Sequence, residues 1–171
     1  MRKIAVLGTG SSISLFNADD YDLSIGVNDI WKYVQADIIV CLDKRSVFAG
    51  ERGITIDNSH PQAFYSQIVN WDSRTDFHKI DIMHHYPDKI CNLDLPSFNK
   101  SYCSPFVAVQ IAYRYYGATE IHLFGVDLLN HPHLNRVLCS KIILHFRNLQ
   151  AALIEKGSKI IVHGDGILKD I

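Results

Sequence analysis

The stretch from Ser104 to Val162 constrains the fold most. Ser104-Pro105 followed by FVAVQIAYRYY reads as a helix, with serine as N-cap, proline in the first turn and Gly117 as the stop. Glu120–Phe124 is then an apolar strand ending in Gly125-Val126-Asp127. Leu134–Lys156 reads as a long amphipathic helix closed by Gly157, and Ser158–Val162 as a further strand before the turn His163-Gly164-Asp165-Gly166. Strands joined through helices pair in parallel, with helices on both faces of the sheet.

The first half follows the same grammar. Lys3–Leu7, Ser24–Val27 and Asp37–Leu42 are short apolar runs of the kind buried on both faces of a parallel sheet. Ile30–Val34 reads as a short helix, Ile54–Ile56 and Lys79–Met83 as strands, and residues 86–103 as mostly loop. Pro61 opens PQAFYSQIVNW, which reads as a helix with proline in its first turn. The expectation is one α/β domain over residues 1–171, a Rossmann-like three-layer domain with a mostly parallel central sheet.

Composition narrows the partners. The 171 residues are 47% hydrophobic and carry a formal net charge of −1, without a run of like charge. That supports a sizeable core and argues against a nucleic-acid binder, which shows a basic stripe. Cys41, Cys91, Cys103 and Cys139 are widely spaced, so neither a zinc cage nor a disulfide framework is expected, and Cys41 and Cys139 read as core residues. The apolar stretch in MRKIAVLG is short and ends in a turn, and no segment approaches about 20 apolar residues. The chain reads as cytoplasmic with no membrane span.

Five places hold residues that can do chemistry. Gly8-Thr9-Gly10-Ser11-Ser12 follows the first strand, where open α/β sheets bind ligands, and reads as a phosphate turn or as a plain tight turn. Ile13 stands where a dinucleotide fingerprint needs its third glycine, and no Gly-Lys-Ser/Thr follows. Asn28, after the next strand, suits a base or ribose edge, or a turn. Asp43 ends DIIVCL and suits Mg²⁺ or a hydroxyl, or helix capping. Ser104 and the helix behind it form a second anion cradle, or a cap alone. Asp127 with His131 and His133 offers a general base or metal ligands. His60, His84 and His85 carry less, and His122 and His145 read as structural.

Taken in order, these residues resemble two related Rossmann-like families. One is the bacterial sialyltransferases that modify lipooligosaccharide, and the other the MptE-like proteins, which include a 6-hydroxymethylpterin diphosphokinase. Gly8-Thr9-Gly10-Ser11-Ser12-Ile13 is similar to their GxGPSL turn, with Ser11 in place of proline. Gly26-Val27-Asn28 matches a strand ending in asparagine, and Ala36-Asp37 through Asp43 the MptE-like strand. Ser104–Tyr116 followed by Gly117 through Leu128 resembles their helix and GxxxIxLxGxDL block.

The resemblance implies a nucleotide with phosphates as ligand, lined by Gly8, Gly10, Ser12, Asn28, Asp43, Ser104 and Asp127. It implies a small sialyltransferase-like glycosyltransferase using a nucleotide-activated, CMP-sugar-like donor. The alternatives are a diphosphokinase whose Asp43 and Asp127 hold Mg²⁺, or a non-catalytic nucleotide-binding module. The sialyltransferases carry a lid with their general-base histidine after the Gly-x-Asp strand. Here a short connector, Leu129 to His133, takes that place and offers His131 or His133. So small a domain leaves room for a homo-oligomer that completes the site at its interface.

Overall fold

Burial decides the architecture, because the apolar runs have few polar positions with which to face water. The structure is a computed structural model, and it describes residues 1–43, 63–67, 77–83, 91–128 and 134–171. Its strands are β1 (Lys3–Leu7), β2 (Leu23–Val27), β3 (Ile38–Val40), β4 (Ala63–Ser66), β5 (Phe77–Lys79), β6 (Glu120–Phe124) and β7 (Lys159–Val162). They form one parallel sheet in the order β5-β4-β3-β2-β1-β6-β7. β1 is central, pairing Ile4 with Leu23 on one side and Lys3 with Glu120 on the other. The α/β, Rossmann-like class expected from the sequence is the class observed.

Among the described residues the two α-helices, α1 (Ser104–Tyr116) and α2 (Arg136–Glu155), share one face of the sheet. Ile4, Val6, Ile25, Val27, Ile121 and Leu123 meet them there in a single core. Ser104 through Ala112 are all buried, which explains why α1 is apolar nearly all round. The opposite face shows Ala5, Leu7, Ile39, Cys41 and Phe124. Short 3₁₀ segments at Ser11–Leu15 and Ile30–Lys32 cover it through Ile13, Ile30 and Trp31. α2 is long and apolar enough to cross a membrane by length and composition, and it packs Ile142, Phe146, Leu149 and Leu153 into the core.

Several local expectations change. The helix expected from Pro61 is instead β4 over Ala63–Ser66. Ala63 and Tyr65 enter the core opposite Ile38 and Val40, a period of two within a composition that also permits a helix. The strand expected at Lys79–Met83 lies earlier, at Phe77–Lys79, and Ile82 makes only an isolated bridge with Phe98. Ile30–Lys32 is 3₁₀ rather than α. Cys41 is fully buried, but Cys139 is only half-buried on α2. The expected strand at 54–56 lies outside the described residues.

Candidate functional site

The chain reverses its direction of travel across the sheet at β1, and the loops after β1 and β6 meet there. They interlock. Gly8 N–H donates to the Phe124 carbonyl at 2.7 Å and Gly10 N–H to the Gly125 carbonyl at 2.8 Å. A Cβ on Gly8 would stand 2.3 Å from the Gly125 carbonyl oxygen, and one on Gly10 2.6 Å from a carboxylate oxygen of Asp127. What approaches these glycines is the protein's own backbone and carboxylate.

Asp127 occupies the cradle. Its Oδ2 accepts from Ser11 Oγ at 2.8 Å and from Ser12 N at 3.2 Å, and its Oδ1 accepts from Ser12 Oγ at 2.5 Å. Ser12 Oγ also accepts from Gly125 N–H at 2.8 Å. Burial alone would raise the carboxyl pKa, but the Ser12 and Ser11 hydroxyl and N–H donors together outweigh it and hold it below the usual value. The loop after β7 seals the arrangement, with Gly164 against Ser12 and Ile167 N–H donating to the Asp127 carbonyl at 3.0 Å. The donors of the turn that suit a phosphate therefore hold a carboxylate of the same chain. Asp127, which the sequence offers as a candidate catalytic residue, thus ties the glycine turn to the β6 loop.

The open space lies beside this interlock, over the carboxyl ends of β1, β2 and β3. It is a cleft of about 400 Å³. Gly8, Thr9 and Gly125 form one wall, and Asn28, Leu42 and Asp43 the next. The segment Lys100–Pro105, leading into α1, forms the third, and Gln67, Ile82 and Leu134 stand at the rim. Of the residues singled out in the sequence, Gly8, Asn28, Asp43 and Ser104 line this cleft, whereas Gly10, Ser11, Ser12 and Asp127 stand behind its wall. His131 and His133, like His60, His84 and His85, lie outside the described residues.

Asn28 adopts φ 53, a left-handed conformation that asparagine tolerates better than most residues. Its N–H donates to the Val40 carbonyl at 3.0 Å, and its Oδ1 accepts from Ser104 Oγ at 3.1 Å. That bond corrects one expectation: Cys103, not Ser104, is the N-cap of α1. Ser104 is the first helical residue, and its hydroxyl fixes Asn28 instead. Cys103 faces the cleft, and burial pushes its thiol up to about 12, so it stays protonated near neutrality.

Lys100 is a cleft residue that sequence reasoning missed. A buried clamp positions it. Gln110, on α1 and fully buried, accepts from Asn99 N at 2.8 Å and donates to the Asn99 carbonyl at 2.9 Å. Arg114 adds donors to the Ser97 and Pro96 carbonyls. The loop is thus pinned to the helix whose N-terminus it flanks, and Lys100 sets a cation beside that terminus. The signal in the sequence was a lone glutamine inside the apolar run from Phe106 to Ala112, since a buried amide needs partners.

On the 3₁₀ face, His122 of β6 and His163 after β7 stack at 5.2 Å and share an Nδ1···Nε2 hydrogen bond of 2.9 Å. His163 also lies flat on Phe124, Tyr21 OH reaches His122 Nδ1 at 3.4 Å, and His122 Nε2 sits 3.7 Å from Glu120. Glu120 in turn pairs with Lys159 at 2.8 Å. Burial lowers both histidine pKa values, and the His163 charge lowers that of His122 further. Double protonation would set two N–H groups face to face. A lowered histidine pKa stabilises the fold above the unfolded value of 6.5, and that contribution is lost as pH falls below it. The melting temperature should drop as pH falls below about 6.5, and His122→Gln with His163→Gln should flatten that slope. An unchanged slope in the double variant would assign the acid sensitivity elsewhere.

Comparison with family models, with curated proteins and with solved structures gives no match for this chain.

Proposed function

We propose that the cleft binds a nucleotide or nucleotide-activated donor, and that the protein is a small glycosyltransferase-like, sialyltransferase-like transferase. The observation that supports this most is the third wall: the N-terminus of α1 opens beside Lys100 over the strand ends. Helix N–H groups and a lysine together suit phosphate oxygens. Asn28, held by Ser104, offers an amide at the neighbouring wall for a ribose or base edge. Gly8 and Thr9 give a surface a ligand can approach closely. The diphosphokinase alternative is less well supported, because Asp127 points at Ser11 and Ser12 and leaves Asp43 as the carboxylate in the cleft.

Thermal shift with CMP, UDP and ATP, each with and without Mg²⁺, tests the reading. CMP is expected to raise the melting temperature without metal, and Lys100→Ala to weaken that binding by about tenfold or more, or about 1.4 kcal/mol. Stabilisation by ATP only with Mg²⁺ would favour the diphosphokinase. Binding without turnover of any activated donor would favour a binding module. No shift with any nucleotide would remove the shared premise.

A further inference from the structure

The cleft holds one more chemical group, which the nucleotide reading does not use. Ser101 lines the cleft and is 7% exposed. Its Oγ lies 2.9 Å from Nδ1 of His145, a fully buried residue midway along α2. Tyr102 stacks on that imidazole at 5.9 Å with the planes 14° apart, and Phe106 packs at 6.2 Å from another side. The ring is therefore held in plane and in register with that hydroxyl. An imidazole aimed at a serine on the wall of a cleft is an arrangement for moving that serine's proton.

The surroundings suit a phosphorus electrophile. Lys100 precedes Ser101, and the N-terminus of α1 follows it, so a cation and helix N–H donors flank the hydroxyl on both sides in the chain. Such donors stabilise charge that develops on phosphoryl oxygens. Cys103, the other candidate nucleophile in the cleft, stays a thiol near neutrality.

We infer that Ser101 is a nucleophile activated by His145, and that it takes a phosphoryl-type group from a phosphoester seated in the cleft. Ser101 Oγ attacks phosphorus, the P–O bond to the leaving group breaks, and the Oγ proton passes to His145 Nδ1. The leaving oxygen, in line on the far side of phosphorus, takes a proton from solvent. An incoming hydroxyl or water attacks from that far side: its proton goes to solvent, its oxygen bonds to phosphorus, and Ser101 Oγ leaves and recovers its proton from His145. The inference rests on the cleft and the Ser101–His145 pair, not on the identity of the nucleotide.

A fluorophosphonate tests it without knowledge of the substrate, since Ser101 Oγ would displace fluoride from phosphorus. The full chain is incubated with the probe and the adduct located by mass spectrometry. The expected result is one adduct, on Ser101, absent in Ser101→Ala. His145→Gln should label about 100-fold more slowly, because it keeps a hydrogen-bonding side chain but removes the base. In the unaltered protein the labelling rate should rise with pH as a single histidine loses its proton, a readout that stands even if His145→Gln fails to fold. No adduct under conditions that label a serine hydrolase, an adduct elsewhere, or a rate that does not follow a histidine titration would overturn the inference. Nucleotide binding by thermal shift is read separately, so failure of that reading and failure of this one are distinguishable.

Discussion

Gly8→Val is expected to destabilise the protein by upward of about 3 kcal/mol, or about 6–12 °C in melting temperature for a chain of this size. The first added carbon already meets the Gly125 carbonyl oxygen at 2.3 Å, and the first atom met is backbone. Backbone cannot swing aside like a side-chain tip, so either the β1 loop or the β6 loop must move. Moving either one breaks the Gly8–Phe124 and Gly10–Gly125 bonds and opens the cleft wall. Thr9→Ala, at an exposed neighbour, is the control and should change stability by less than about 0.5 kcal/mol. Paired melting curves decide the matter: a Gly8→Val protein that melts with the unaltered chain would sink the interlock.

The second large effect is Asp127→Ala, expected to cost about 3–5 kcal/mol. The alanine leaves two serine hydroxyls and an N–H without their acceptor in a site that is 6% exposed. Asp127→Asn keeps the shape but turns an amide N–H₂ toward the Ser12 and Ser11 donors, so it should recover only part of the loss. The pH dependence supplies an independent check. A carboxyl held below its ordinary value of 3.8 stabilises the fold above that pH, and the contribution is lost as pH falls through the folded value. The window lies below that of the His122–His163 pair, so the two are separable in one titration. The gap in urea midpoint between Asp127→Asn and the unaltered protein, measured at pH 7, should narrow as the pH is taken below 3.8. A constant gap would place the cost in packing rather than in charge.

The sheet was readable because its strands are buried on both faces, so β1, β2 and β6 announce themselves as apolar runs closed by glycine or asparagine. The helix α1 was readable for the same reason, down to Gly117. β4 was not, because Ala63, Tyr65 and Ser66 suit a helix as well as an edge-proximal strand, and only pairing with β3 decides between them. The site divides in a similar way. Gly8, Asn28, Asp43 and Ser104 follow strands or open a helix, and position alone sends them to the cleft. Ser11, Ser12 and Asp127 carry the right chemistry for a ligand, but they satisfy one another across more than half the chain, a pairing no local pattern reveals. Lys100 and Ser101 went unremarked because their placement depends on Gln110 and His145, side chains of two helices far along the sequence.

The bond between Ser12 and Asp127 joins residues 115 apart, and β1 takes its second sheet neighbour from β6, equally late in the chain. Closing so long a loop costs entropy before any contact repays it, which makes this step slow. During synthesis the first strands can pair among themselves, but β1 keeps an open edge until β6 emerges. The wall of the cleft is therefore assembled last. A nascent or clipped chain lacking β6 would expose both that edge and the glycine turn, and would be a substrate for chaperones or for aggregation before it had any place to hold a ligand.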